Sequence, residues 1–529
     1  MGRNSAATSI ARWALCLLIG WSGHALALEA TLWFDGARPS AAARSALDLL
    51  GDAASQGLDP RDYDAASVAQ LLARAMQGQV LDPDTTARAA RQLTAAMLRY
   101  LSDVHQGRVD PRQLHVTFGG PPRDPFDAEA VLAAALASGR VRELAHDVAP
   151  PVPQYERLRD ALAQHRSLIG DPAWQQPLPP LPAARRGERP KVEPGQGYAG
   201  LDLLARRLIA LGDLAVAPST MPARYDPPLV DAVRAFQRRH GLDDDGVIGA
   251  TTLAQLQVLP AARVRQLELA LERLRWTPLL QQPRMIVINI PEFVLRAYDV
   301  RDGRIAVRRT MKVIVGKALD TRTPLFDADM RFIEFSPYWN VPPSIARAEV
   351  VPRLRRDPGY WSREGFEFIA PDGRVEPALS SAGLDAVLAG RLRIRQRPGP
   401  RNALGDIKFV FPNHDNIYLH HTPATELFDR QRRDFSHGCI RVEHPVELAT
   451  FVLHDMPSWD EARIRQAMSR GESATLRLPQ PVRVLIAYGT ALVKDGRVHF
   501  FDDLYGQDRA LDAALRNVSL QRQHEQAPS

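Results

Sequence analysis

The first third of the chain repeats hydrophobic residues at three- and four-residue spacing. ARSALDLLGDAASQGL and ARAARQLTAAMLRYLSDVHQG both show this pattern, which is typical of amphipathic helices. Asp-Pro pairs in QGLDPRDY and GRVDPRQL join such segments as turns. The pattern predicts a helical scaffold domain over residues 28–170, in which no catalytic constellation stands out.

Residues 171–195 are rich in proline and polar residues, which predicts a semi-rigid linker. Helical spacing returns over residues 196–258. In YDPPLVDAVRAFQRRHGL, Asp226 is the expected N-cap, Pro227 fits the first helical turn and Gly241 ends the helix. The stretch predicts a small helical module.

The periodicity changes to two from Met285 onward. MIVINI, VLRAYDV and IAVRRTMKVIVG alternate, and RDGR fits a hairpin turn between the last two. These strands predict a β-rich domain over residues 263–460, entered through a helix, with a charged, helical capping insertion at 342–400. Residues 461–529 are expected to form a C-terminal extension. The predicted fold class is multidomain α+β.

The N-terminus predicts export. Arg3 and Arg12 precede the apolar stretch WALCLLIGW, and small residues follow in ALA. This layout indicates a signal peptide over residues 1–27, with an uncleaved anchor as the alternative. Cleavage would remove Cys16 and leave Cys439 as the single cysteine, which excludes an internal disulfide and a paired metal-thiolate site.

Charge adds little to this picture. The formal net charge is +6, and no dense basic run with interleaved aromatic residues is present, so we expect no nucleic-acid partner. No second segment is apolar enough to span a membrane, so no transmembrane anchor is expected after cleavage.

Five of the fourteen histidines fall in one short stretch near Cys439. They are His414, His420, His421, His437 and His444. Adjacent residues on a strand point to opposite faces, so His420 and His421 cannot both bind one ion without distortion. We therefore expect neither a metal site nor a cofactor.

Thiol catalysis is the stronger interpretation of this stretch. Cys439 opens the strand-like CIRV, and His420 closes the strand-like NIYLH. A nearby imidazole can activate a cysteine as a nucleophile. The amides of Gly438 and Cys439 are candidates for an oxyanion hole. The alternative is a buried, inert cysteine with incidental histidines.

The motif SHGCIRV with an upstream histidine resembles the YkuD-type L,D-transpeptidase domain. The resemblance extends through IYLHHTPATELFDRQRRDFSHGCIRVEHP and FSPYWNVPPSIARAEVVPRLRRDPGY, and points to the large periplasmic branch of that family. The FQRRHGLDDDGVIGATTLAQL stretch resembles a peptidoglycan-binding module. The alternative for that stretch is a three-helix module without a retained ligand site.

The resemblance implies a role for each matching residue. Cys439 matches the nucleophile, His420 its base, His437 a residue lining the site, and Gly438 the glycine beside the oxyanion hole. Two further residues match positions facing the substrate groove: Tyr418 and Arg441. His421 stands where relatives often carry aspartate or serine, so the third triad member stays open. A backbone carbonyl can orient His420, and His421 as the base is the alternative.

The implied activity is transfer from a peptidoglycan tetrapeptide stem through a cysteine thioester. Terminal D-alanine leaves, and the amine of a second stem attacks to form a 3→3 cross-link. The alternatives are an L,D-carboxypeptidase or wall hydrolase, an anchor-former with a lipoprotein amine as acceptor, and a non-catalytic wall-binding scaffold. We expect the protein to be periplasmic and to bind peptidoglycan stems. Other wall-synthesis enzymes are expected as partners, and a carbapenem is expected to trap the thiol. The insertion is expected to act as a lid.

Overall fold

The computed structural model describes residues 32–36, 38–77, 79–115, 126–215, 223–277, 282–319 and 321–526. The predicted signal peptide, with Cys16, lies outside these residues. Within the described ranges, no helix is both long and apolar enough to cross a bilayer.

The N-terminal region is helical apart from one small hairpin. The hairpin pairs β1 (Phe34–Asp35) with β2 (Arg38–Pro39). The helices are α1 (Ala41–Gly51), α2 (Ala65–Met76), α3 (Pro83–Gln106), α4 (Pro111–Leu114), α5 (Ala128–Ser138), α6 (Leu144–Val148) and α7 (Pro153–Ser167). In α3, Asp82 caps the first turn through the Thr85 amide at 2.9 Å. Its inward stripe, which includes Leu93 and Met97, packs into one core with the surrounding helices.

Three helices form the next module. They are α8 (Leu201–Ala210), α9 (Pro227–Arg239) and α10 (Ala250–Leu256). Their core also takes in Leu178 and Val192 from the proline-rich segment, and Val192 pairs with Ile248 as an isolated bridge. The predicted linker is therefore partly packed onto the module. The helix α11 (Pro260–Arg275) then leads into the β-rich region.

The first strands of the large sheet follow in order. They are β3 (Arg284–Asn289), β4 (Val294–Arg301), β5 (Arg304–Gly316) and β6 (Phe326–Phe335). The predicted hairpin between β4 and β5 is present, with Arg301 opposite Arg304. Asp302 and Gly303 both have positive φ, of 51° and 69°, as a tight two-residue hairpin turn requires.

The insertion after β6 is mixed rather than helical. Its elements are β7 (Trp339–Asn340), α12 (Pro343–Ile345), a π-helical turn (Ala346–Val350), α13 (Val351–Arg356), α14 (Gly359–Glu364), β8 (Phe366–Ile369), β9 (Val375–Glu376), α15 (Ser381–Leu388) and β10 (Arg393–Gln396). A four-stranded sheet in the order β7-β10-β8-β9 corrects the prediction of a helical insertion. Its strands have two to four residues, too few to show an alternating pattern.

The large sheet is completed by later segments. They are β11 (Ile407–Val410), β12 (Leu419–His420), β13 (Asp434–Ser436), β14 (Ile440–Val442), α16 (Pro445–Val452), α17 (Glu461–Ser469) and β15 (Ala474–Ala487). The strand order is β13-β5-β14-β12-β11-β6-β15-β3-β4, and β5 also pairs with β4, which closes the sheet on itself. One apolar core joins the sheet to α16 and α17.

The sheet extends past the predicted boundary at residue 460. β15 lies between β6 and β3, parallel to β3 and antiparallel to β6, so the predicted C-terminal extension begins inside the domain. The remaining elements are β16 (Ala491–Lys494), β17 (Arg497–Phe500) and α18 (Gln507–Gln526). Arg522 of α18 bonds Asp103 of α3 at 2.5 and 2.9 Å, which ties the C-terminus to the first domain. The helical, module and β-rich regions together confirm the multidomain α+β class.

Candidate active site

Two short neighbouring strands carry the candidate catalytic side chains. β12 and β14 pair in parallel, with Leu419 opposite Ile440 and His420 opposite Arg441. Leu419 and Ile440 are buried in the core of the sheet, and successive residues on a strand point to opposite faces. His420 and Arg441 therefore project from the other face, which Cys439 shares because it directly precedes Ile440.

The turn before Cys439 is fixed by hydrogen bonds within the motif. Gly438 has a φ of 115°, which residues with a side chain rarely adopt, and a Cβ there would lie 3.3 Å from Ile417. The Ser436 hydroxyl accepts from the Gly438 amide at 3.1 Å and donates to the Cys439 carbonyl at 2.5 Å. Thr323 donates to the Gly438 carbonyl at 2.7 Å. The Gly438 amide is thus occupied in this structure, so the Cys439 amide stays as the candidate oxyanion donor.

The thiol of Cys439 is half-buried and close to Tyr418. Burial raises the pKa of the thiol, whereas hydrogen bonds from the Tyr418 amide and hydroxyl lower it. The positive charges of Lys408 and Arg441 also lower this pKa, and the net shift is upward. The sulfur lies 3.8 Å from the Asn416 carbonyl oxygen. The resting group is therefore a thiol at neutral pH, in surroundings with donors and cations that favour the thiolate.

His420 is buried and held by the backbone. Its Nδ1 donates to the His421 carbonyl at 2.5 Å, and the Leu404 carbonyl also contacts the ring. Burial, with the nearby charge of Arg441, lowers the pKa of His420 to about 3. The ring is therefore neutral, and a proton on Nδ1 leaves the lone pair on Nε2. Among the described residues, no hydrogen bond joins His420 to Cys439.

His437 connects the motif to the insertion. Its Nε2 lies 2.6 Å from Oε1 of Glu349, in the π-helical turn of the insertion. The His437 side chain is 31% exposed and that of Glu349 is 52% exposed. The insertion therefore touches the chain two residues before Cys439, at the rim of the site.

Three stretches of the chain match models of known domain families. Residues 27–162 match a "Scaffold domain", and residues 199–256 match a "Putative peptidoglycan binding domain". Residues 283–475, which include the motif around Cys439, match the YkuD family, the L,D-transpeptidase catalytic domain. Residues 283–475 therefore belong to the YkuD-type L,D-transpeptidase catalytic domain family. The domain limits predicted from the sequence, apart from the corrected limit at 460, stay predictions.

A curated protein of Haemophilus influenzae with the name "Putative L,D-transpeptidase" is 32% identical over 243 residues. The alignment covers 45% of this chain and 47% of that protein, so the chain spans about half the length of the curated relative it matches. A solved Clostridium acetobutylicum structure is titled as a fused Zn-dependent amidase/peptidase/peptidoglycan-binding domain-containing protein. It is 13% identical to this chain, and the alignment covers 57% of this chain and 100% of that structure's chain. The TM-score is 0.17, which supports no structural inference.

Arg441 of the transpeptidase domain points from the face that carries the thiol. Its guanidinium is half-buried, and its Nε has no hydrogen-bond partner among the described residues. Burial lowers its pKa, and the charges of Cys439 and Glu426 oppose that shift. Arg441 was predicted to face the substrate groove, and a buried donor of this kind, unpaired among the described residues, is able to bind a carboxylate. Tyr418, predicted for the same groove, instead contacts the sulfur itself.

Besides Glu349, the sequence analysis missed two charged residues near the site. Lys408 lies on β11 with its Nζ 3.1 Å from Oε2 of Glu334 on β6. The available signal was the polar residue between Ile407 and Phe409 in the run DIKFVF, which alternation places on the face away from the core. Their proximity to Cys439 depends on the strand order, which the local sequence does not contain.

The other histidines are dispersed. His414 is exposed beside Asp415, and His444 directly precedes α16. His421 has its Nδ1 3.5 Å from Oδ2 of Asp406, while its carbonyl holds His420. Throughout the described part of the chain, no group of three or more His, Cys, Asp or Glu side chains is arranged to hold a metal ion.

Proposed function

We propose that this protein is a cysteine-dependent L,D-transpeptidase that forms 3→3 cross-links between peptidoglycan stems. The observation that carries the proposal is the placement of Cys439 and His420 on one face of neighbouring strands. The matching transpeptidase and peptidoglycan-binding domains support the substrate class.

In the first step, the Cys439 sulfur attacks the carbonyl carbon of the third stem residue, a diamino acid. The thiol proton passes to Nε2 of His420, which is neutral and can accept it. The oxyanion accepts a hydrogen bond from the Cys439 amide. The carbon–nitrogen bond then breaks, and D-alanine leaves with the proton from His420, so a thioester remains.

In the second step, the side-chain amine of another stem attacks the thioester carbonyl. His420 takes a proton from that amine as the carbon–nitrogen bond forms. The carbon–sulfur bond breaks, and the proton returns to the Cys439 sulfur. The enzyme is regenerated, and one amide bond replaces another, which requires no cofactor. Arg441 is suited to hold a stem carboxylate during both steps.

We place this activity in the periplasm. Peptidoglycan lies outside the cytoplasmic membrane, and residues 1–27 have the pattern of an export signal. The module over residues 199–256 is suited to hold the enzyme on the cell wall. Other wall-synthesis enzymes would supply the tetrapeptide stems.

Mass spectrometry of the protein incubated with a disaccharide-tetrapeptide tests the proposal. We expect a dimer whose mass equals that of two monomers less one D-alanine, and no dimer with Cys439→Ala. A tripeptide product without dimer would instead identify a carboxypeptidase. The proposal would be contradicted if the disaccharide-tetrapeptide stayed unchanged and polymeric peptidoglycan, tested in the same way, also stayed unchanged.

A further inference from the structure

Lys408 belongs to a polar row that crosses four strands beside the nucleophile. It lies opposite His420 in the antiparallel pair of β11 with β12, and opposite Glu334 in the pair of β11 with β6. His420 in turn lies opposite Arg441 on β14. Cross-strand partners share a face, so the four side chains project together on the side that carries Cys439.

The Lys408 ammonium makes two specific contacts. Its Nζ lies 3.1 Å from Oε2 of Glu334 and 4.4 Å from the centroid of the Tyr418 ring. The Lys408 side chain is only 17% exposed. A largely buried ammonium needs an anionic partner, and Glu334 provides one. The same ammonium is attracted to the face of the phenol ring.

Tyr418 carries this contact to the nucleophile. Its hydroxyl and its amide act as hydrogen-bond donors that lower the pKa of the Cys439 thiol. Its ring also meets His420 edge to face, with centroids 5.7 Å apart. The phenol therefore lies between the lysine on one side and the thiol on the other.

We propose that Lys408 is a positioning residue of the transpeptidase site: anchored by Glu334, it holds the Tyr418 ring so that the hydroxyl donates to the Cys439 sulfur. The proposal rests on the proposed function only in taking Cys439 as the nucleophile.

The physical need for such a donor follows from the burial of the thiol. His420 is neutral and bonded to backbone carbonyls, so no imidazolium ion pairs with the sulfur at rest. An anionic sulfur in a partly buried site needs hydrogen-bond donors and nearby positive charge. The side chains facing the sulfur that can supply them are Tyr418, Lys408 and Arg441. Lys408 acts both through the orientation of Tyr418 and through its own charge, and a double mutant separates these effects.

The experiment measures the rate at which iodoacetamide alkylates Cys439 in the full-length protein between pH 6 and pH 10. Peptide mapping by mass spectrometry follows Cys439 separately from Cys16. We expect Lys408→Met to slow alkylation about tenfold at pH 7, equivalent to a thiol pKa about one unit higher. Lys408→Arg is expected to preserve most of the rate because it keeps the charge and the contact with the ring. Lys191→Met, at an exposed lysine paired with Glu193, is the matched control and should react like the wild type.

The double mutant decides how Lys408 acts. In a Tyr418→Phe background, which lacks the hydroxyl, Lys408→Met should slow alkylation by less than about twofold, because coupled residues are not additive. The same tenfold loss in that background would overturn the proposal and assign Lys408 a direct electrostatic effect on the sulfur. An unchanged rate for Lys408→Met in the wild-type background would also overturn it. Thermal melting of each variant identifies any loss that comes from unfolding. Alkylation needs no stem peptide, so the outcome stands whether or not cross-links form.

Discussion

Glu349 and His437 join the insertion to the nucleophile turn across 88 residues of sequence. Oε1 of Glu349 lies 2.6 Å from Nε2 of His437, and Cys439 follows two residues later. The contact is partly open to solvent, so it is easier to break than a buried pair. In the proposed mechanism, this contact would hold the insertion over the site until an amine attacks the thioester.

Glu349→Ala should shift the product ratio from dimer toward tripeptide. Without the contact the insertion spends more time away from the site, and water reaches the thioester more often. An exposed contact of this kind contributes at most about 1 kcal/mol, so we expect a change of roughly two- to fivefold. Quantitative chromatography of the products measures the ratio.

The matched control is Glu376→Ala, at a carboxylate of the same insertion that pairs with Arg374. It should leave the ratio unchanged. An equal shift in both variants would show that the insertion responds to any loss of charge and would remove the role assigned to the contact with His437.

A carbapenem should acylate the protein at Cys439 alone. The thiol attacks the strained lactam carbonyl, and the resulting thioester adds the full mass of the drug, because ring opening releases no fragment. Intact-mass spectrometry should find this adduct in the wild type and not in Cys439→Ala. An adduct of the same mass in the alanine variant would show that another nucleophile reacts.

Acid should destabilise the fold through its buried histidines. The pKa of His420 is lowered to about 3, and burial lowers those of His165 and His499 to about 4. The unfolded chain binds these protons near pH 6.5 and the folded chain does not, so stability rises with pH between the two values. Each such histidine contributes about 1.4 kcal/mol per pH unit within that window.

Urea denaturation between pH 7 and pH 4.5 measures this effect. The unfolding midpoint should fall steadily below pH 6.5 in the wild type. His420→Gln, which cannot protonate in this range, should show a shallower decline. A parallel decline in the two proteins would show that His420 does not resist protonation in the fold.

The sequence predicted the parts of the site that depend on local pattern. Strands were predicted at NIYLH and CIRV, and the structure has β12 and β14 there, although β12 has only two residues and Cys439 directly precedes β14. Glu349, Lys408 and Glu334 were missed because their proximity to the thiol depends on strand order and on the placement of the insertion.

Similar reasons explain the remaining errors. β15 pairs with β3 in the sheet, although almost the whole domain separates the two strands in sequence. No local feature therefore indicated that the domain continues past residue 460. The two- to four-residue strands of the insertion were too short to show a period. The side chain of Ser436 occupies the Gly438 amide, a contact that the motif letters do not reveal.

Ser436→Ala should weaken both stability and catalysis because one buried hydroxyl fixes the turn. It accepts from the Gly438 amide and donates to the Cys439 carbonyl. The variant leaves a buried amide and a partly buried carbonyl without this partner, and each unpaired buried group costs about 1–3 kcal/mol. The freed Gly438 turn would also hold the Cys439 sulfur less precisely against its substrate. We expect carbapenem acylation to slow about tenfold or more, with a lower urea midpoint.

Ser469→Ala is the control, because its exposed hydroxyl donates to the Gln466 carbonyl on the surface. Its free energy of unfolding should stay within about 0.5 kcal/mol of wild type. If Ser436→Ala is destabilised but is acylated at the wild-type rate, the Ser436 hydroxyl contributes to stability and not to catalysis.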